Sequence, residues 1–150
     1  MMVEYQVAEL VPHAGKMSLL TSITGYGEDW LQAHVLIKPD SMFADARGVP
    51  AWVGIEYLAQ AIGAFAGLQE RLQGSAPKVG FLLGSRKYSC TTDYFCLGDS
   101  LELKVVRNMQ ADNGLSAFDG HLVGSGYEAT ARLNVFQPEN AAEFLRNVKG

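Results

Sequence analysis

No block of positive charge runs through this chain: twelve Lys and Arg face sixteen Asp and Glu, for a formal net charge of −4. That excludes the basic footprint of generic nucleic-acid binding. Cysteine is scarce, with only Cys90 and Cys96, and neither falls in a Cys-x-x-Cys or Cys/His ligand spacing. A disulfide framework and a zinc site are thereby excluded, and free thiols, no metal and a cytoplasmic location are expected. The opening residues Met1-Met2-Val3-Glu4-Tyr5 lack the basic stretch and apolar run of a secretory leader. Internal repeats, low-complexity tracts and interdomain linkers are missing too. What is present is an ordinary globular composition over 150 residues, 48% apolar and 19% charged. One domain over 1–150 is expected, able to bury roughly 68–70% of its unfolded surface without staples.

One long apolar run stands out from Pro50 to Gln73. Between Ala51 and Leu68 only Glu56 and Gln60 are strongly polar, so the run predicts a helix buried on most sides. Pro50 suits its first turn, Gln69-Glu70-Arg71 restores polarity, and Gly74-Ser75-Ala76-Pro77 stops it. Such a helix is roughly 30–35 Å long, about the width of a small domain. A membrane span is rejected because a central Glu costs roughly 2.5–3.5 kcal/mol in a bilayer and because Ala and Gly are weakly hydrophobic. Gly63 and Gly67 form a GxxxG spacing, read here as a place where a sheet approaches the helix closely.

Around the helix the pattern changes to alternation. Strands are expected over Met2–Leu10, Leu19–Tyr26, Trp30–Lys38, Val79–Cys90, Ser100–Gln110, Leu115–Val123 and Tyr127–Phe136, with a short surface helix over Pro138–Val148. Asp112-Asn113-Gly114 and Gly124-Ser125-Gly126 mark hairpin turns. Strands, one buried helix and then four antiparallel strands make an α+β fold, an antiparallel β-sheet wrapped around one long central helix.

Chemistry concentrates at the head of that helix. Glu56 is an acid in the first turns of an apolar segment, with Gln60 four residues on along the same face. The N–H groups from Ala51 to Val53 open the helix and suit the oxygen of a polarised carbonyl. An acid beside an oxyanion site is a start for acyl chemistry. A structural carboxylate, bonded to backbone or to a second subunit, explains Glu56 equally well.

These residues carry a resemblance to a known family. Val11-Pro12-His13-Ala14-Gly15 running into Leu19-Leu20, then Pro50-Ala51-Trp52-Val53-Gly54-Ile55-Glu56 with Ala59-Gln60, then Phe81-Leu82-Leu83-Gly84 and Leu97-Gly98-Asp99 resemble hotdog-fold 3-hydroxyacyl-acyl-carrier-protein dehydratases. Pro-His-Ala-Gly and Pro-Ala-Trp-Val-Gly-Ile-Glu are similar to the smaller dehydratase subunits of aryl polyene pigment pathways. The resemblance covers most of the chain. It departs at one position: the family's catalytic His lies fourteen residues before the helix acid, and Met42, followed by Phe43-Ala44, stands there. A thioether cannot take a substrate's α-proton, and a positioned general base contributes roughly 10²–10⁴ in rate.

His13 is the candidate to compensate, since the corresponding Pro-His of the family lies near the acyl tunnel; a loop hydrogen bond is its bland alternative. His34 and His121 fall in alternating strands and read as cross-strand or solvent-facing residues. Asp45 can reach the site from the preceding loop or simply serve as a turn residue. Arg71, Lys78, Arg86 and Lys87 gather positive charge that suits a phosphopantetheine arm or an acidic carrier, or merely face solvent.

The resemblance implies loss of water from a 3-hydroxyacyl thioester to give a 2-enoyl thioester. Glu56 and His13 are then catalytic, with Ala51, Trp52, Gln60, Met42 and Phe43 lining the substrate and Arg86 and Lys87 meeting the carrier. It further implies acyl carrier protein or coenzyme A as carrier, no redox cofactor, and a homodimer or a heterodimer with a paralogous subunit. Two alternatives stand beside it: a hotdog thioesterase using Glu56 or Asp45, and a non-catalytic subunit completing the site of a His-bearing paralogue.

Overall fold

A computed structural model of the chain describes residues 19–72, 81–111 and 114–136. The expected strand Met2–Leu10, the His13 loop, the Gly74–Pro77 stop, Lys78 and the Pro138–Val148 helix lie outside the described residues. The elements run β1 (Ser22–Tyr26), β2 (Trp30–Leu36), β3 (Gly48–Pro50), a 3-10 turn (Ala51–Val53), α1 (Gly54–Leu72), β4 (Phe81–Cys90), β5 (Tyr94–Cys96), β6 (Ser100–Gln110), β7 (Leu115–Val123) and β8 (Glu128–Phe136). Six strands form one antiparallel sheet in the order β1-β2-β6-β7-β8-β4, and β3 pairs with β5 in a small separate ribbon.

Period-two patterning builds the sheet. Leu31, Ala33 and Val35 of β2 are buried, as are Leu101, Leu103 and Val105 of β6. The register sets them opposite one another, Leu31 to Val105, Ala33 to Leu103 and Val35 to Leu101. Ala129, Ala131 and Leu133 extend the same apolar face into β8. Gly114 and Gly126 turn the two hairpins with positive φ, 94° and 84°.

The helix lays its broad side on this face. Val53, Tyr57, Leu58, Ala61, Ile62, Ala64, Phe65 and Leu68 are buried there, and Phe65 meets Phe118 of β7 edge to face at 5.7 Å. Burying one such large side chain contributes about 1.5–3 kcal/mol. The close approach of sheet and helix is made by Gly120 of β7, where an added Cβ would sit 3.1 Å from the Leu58 methyls. For Gly63 of the GxxxG spacing this corrects the expectation, since it looks into open space. The Ala51–Gln69 stretch is long and apolar enough to cross a membrane by composition, and 61% of that window is buried inside the protein's own fold, as in the core helix of a globular domain.

Two features differ from expectation. Pro50 closes β3 and caps the 3-10 turn instead of sitting inside the first helical turn. The β3–β5 ribbon was not expected at all, because three-residue strands holding Gly and Pro carry no alternation to read. Among the described residues, β4 pairs only with β8 and β1 only with β2, so both lie at edges of the sheet.

Candidate active site

The head of α1 is held by groups distant in sequence. Tyr88 on β4 donates its hydroxyl hydrogen to the Ala51 carbonyl at 2.5 Å, and its ring packs so near Gly54 that any Cβ there would strike the hydroxyl. Burial pushes the Tyr88 phenol above its ordinary range, so it stays a donor. The Ala51 N–H donates to the Asp93 carbonyl at 2.9 Å. That overturns one expectation: the Ala51 N–H is occupied and is not open to a substrate carbonyl. The Trp52 N–H has no partner among the described loop, turn and cap hydrogen bonds and keeps the expected role available.

Residues 38–47 cross in front of this helix head. Ser41 Oγ accepts from the Lys38 N–H at 2.8 Å, and the Ala44 N–H donates to the Ser41 carbonyl at 3.0 Å, winding the chain into a tight turn. Phe43 completes the turn with φ of 70°, a left-handed conformation that costs a non-glycine residue about 1–3 kcal/mol. Its ring is 50% exposed and meets Trp52, itself 56% exposed, edge to face at 5.3 Å. Asp45 accepts from the Arg47 N–H at 2.8 Å and pairs with the Arg47 guanidinium at 3.1 Å. Those hydrogen bonds hold its carboxyl below the ordinary value, which is the turn-residue role and leaves it committed to Arg47.

The expected site residues divide between two places. Glu56, exposed, and Gly63, half-buried, lie along one outward stripe of α1, and the exposed Trp52 of the preceding 3-10 turn precedes Glu56 by four residues. Met42, half-buried, instead lines a cavity of about 630 Å³ with Leu19, Leu20, Leu36 and Tyr57. Glu56 is not among the described lining residues of that cavity. Gln60 accepts the Leu19 N–H through Oε1 at 2.7 Å, so it anchors the chain entering β1 and is a positioning group rather than a bare substrate contact. His34 contacts Ser100 Oγ at 2.5 Å and His121 contacts Glu128 at 2.9 Å, both cross-strand as expected. Lys87 is exposed on β4 beside Asp119 and Arg132, and Arg86 is its neighbour on the same strand.

The sequence reading passed over Tyr57, because a tyrosine inside an apolar helix looks like core. It also passed over the Gly98-Asp99 turn as a support. Asp99 accepts from Tyr127 at 2.5 Å and from the Cys96 N–H at 3.1 Å, and the Ile37 N–H donates to its carbonyl. That turn therefore holds the end of β2 from which residues 38–47 depart. Tyr127 in turn stacks on Phe95, which faces Tyr57 at 6.1 Å between ring centroids.

An antiparallel sheet packed on one helix, with an acid at the helix head, is the hotdog fold. The model of the ApeP-like family, described as ApeP dehydratase, matches residues 5–146, and the chain belongs to that family. A solved dehydratase heterocomplex, ApeI:P from Xenorhabdus doucetiae, is similar at 26% identity and a TM-score of 0.86, over 97% of this chain and 99% of that one. The expected likeness to aryl-polyene-type dehydratase subunits is thus met. More distant structures share the fold alone. They include smu.793 from Streptococcus mutans bound to acetyl CoA, with 12% identity, TM-score 0.58 and coverage of 77% and 86%. The E. coli PaaI protein has 13% identity, TM-score 0.58 and coverage of 76% and 80%. No curated protein sequence matches the chain.

Proposed function

We propose that this chain is the acid-bearing member of a paired dehydratase that converts a 3-hydroxyacyl thioester of fatty-acid or polyene assembly to the 2-enoyl thioester. The observation that carries this reading is the division of the site. Glu56 stands exposed on the outward face of α1, while Met42, at the position where the resemblance implies the family's base, lines a separate cavity.

In the reaction a histidine of a paralogous subunit takes the proton from C2. Glu56 gives a proton to the C3 hydroxyl, the C3–O bond breaks, and water leaves as the C2–C3 double bond forms. The Trp52 N–H is the available donor to the thioester carbonyl. No electrons pass to an outside acceptor, so the chemistry needs no redox cofactor. The acyl group rides on the phosphopantetheine of acyl carrier protein or coenzyme A, with Lys87 and Arg86 as contacts for its phosphate. The similar Xenorhabdus protein is part of a dehydratase heterocomplex, which supports a heterodimer here; a cytoplasmic location is proposed with it.

The test offers the purified chain a 3-hydroxyacyl thioester, alone and with a His-bearing paralogue, and follows products by mass. Enoyl product should form only with the partner, disappear in Glu56→Gln and persist in His13→Gln. Enoyl product from the chain alone, lost in His13→Gln, would instead make the chain self-sufficient. Free acid would make it a thioesterase.

A further inference from the structure

The oxygen that Tyr88 holds and the hydrogen that the proposed reaction uses belong to one peptide unit. Tyr88 donates to the Ala51 carbonyl at 2.5 Å, and the nitrogen of that same unit is the Trp52 N–H. A trans peptide is planar, with its C=O and N–H pointing in opposite directions, and no described peptide bond is cis. The Trp52 N–H therefore points away from β4 and from the Tyr88 hydroxyl. The peptide unit before it is fixed as well, by the Ala51 N–H on the Asp93 carbonyl at 2.9 Å. Residues 88 and 93 thus clamp two successive peptide planes at the head of the helix.

Tyr88 is more than packing at this place. Gly54 leaves the room for its hydroxyl, since a Cβ on that residue would lie 2.2 Å from the Tyr88 oxygen. Burial holds the phenol above its ordinary range, so it keeps its hydrogen and stays a donor at neutral pH. Hydrogen bonds joined end to end strengthen one another by roughly 10–30% per bond, because charge drawn toward the carbonyl oxygen leaves the amide hydrogen more positive. The Gly54 N–H also reaches the Ala51 carbonyl, so loss of the Tyr88 hydroxyl weakens this relay without abolishing it.

We propose that Tyr88 is a positioning residue of the active site, whose hydroxyl, acting through the Ala51–Trp52 peptide, aims and strengthens the Trp52 N–H as donor to the carbonyl oxygen of the thioester. That oxygen gains negative charge as the C2 proton leaves, so a stronger donor counts for more in the transition state than in the bound substrate. Use of the N–H on a thioester rests on the dehydratase reading; the relay from Tyr88 to Trp52 does not.

The experiment places the isotope-labelled full chain in complex with an unlabelled His-bearing paralogue and compares wild type with Tyr88→Phe. Gly54→Ala, which pushes the same hydroxyl off the Ala51 carbonyl, decides the relay if the Tyr88→Phe chain does not fold. In amide NMR either variant should move the Trp52 nitrogen resonance upfield while the Ala51 amide, held by Asp93, stays in place; a general loosening of the helix head would move both. On titration with octanoyl-pantetheine the Trp52 amide proton should move downfield, and by less in the variants. With a 3-hydroxyoctanoyl thioester, Tyr88→Phe should lower kcat roughly 5- to 10-fold at unchanged KM, the effect of about one net hydrogen bond. The proposal is overturned by a Trp52 nitrogen that ignores the loss of the hydroxyl, by a Trp52 proton that ignores the probe, or by an unchanged kcat in Tyr88→Phe. Turnover with a Trp52 resonance indifferent to Tyr88 sinks only this assignment, and a Tyr88-dependent response of Trp52 to the probe without enoyl product sinks only the dehydratase reading.

Discussion

The two faces of α1 are built from different residues. The inner face carries Leu58, Ile62, Phe65 and Leu68, all buried on the sheet. The outer stripe carries Glu56 and Gly63, with no lysine or arginine among them and the exposed Trp52 of the 3-10 turn at its head. A solvent face of a helix is usually charged. This one is not, and its single acid lies one turn from an exposed tryptophan. The inner face makes the fold, whereas the outer one, on the proposed reading, is where a partner subunit would meet Glu56.

The comparison can be broken most forcefully from the inside. Phe65→Ala should cost about 3–5 kcal/mol in urea denaturation, since it empties a buried site against Phe118; a loss below 1 kcal/mol would mean that the inner face does not hold the fold. Glu56→Gln on the outer face should leave that denaturation midpoint unchanged and lower the rate of the paired enzyme roughly 10²-fold. Trp52→Ala should again spare the fold but weaken subunit association by about 2 kcal/mol, or roughly 30-fold in Kd by sedimentation or calorimetry. Unaltered association would remove the claim that this stripe is an interface.

The smallest effect belongs to the loop that places Phe43 against Trp52. The Asp45 carboxyl is held below the ordinary aspartate range, first by the Arg47 N–H and then by the Arg47 side chain. A lowered folded-state value contributes stability above the unfolded value and loses it as pH falls through the folded one. Any gap between wild type and Asp45→Asn should therefore be present at neutral pH and close under acid conditions. The pair is solvent-exposed, so the gap is small. A gap that widens in acid would contradict the assignment.

Sequence patterning located β6 and β7 at their observed ends, because alternation runs through the first half of β6 and the second half of β7 and glycine turns bound them. The helix was legible for the complementary reason, an apolar run too long for a strand. What could not be read were long-range bonds. Nothing local in Ala51 says that its N–H is taken by the Asp93 carbonyl, and nothing near Gly63 says that the sheet approaches at Gly120 instead. The site shows the same division. Glu56 was conspicuous as an acid among apolar residues, but whether its face was buried or open depended on how α1 rotates over the sheet.

The edge of β4 that is unpaired among the described residues has a consequence for the cell that makes this protein. A strand with one row of backbone groups unpaired, as β4 has among the described residues, is a template for indiscriminate pairing until something occupies it. If a second subunit is what occupies it, surplus chain is a hazard rather than a reserve. Its synthesis then has to be matched to its partner's in amount and in time, and overproduction of this chain alone should fill inclusion bodies that co-production empties.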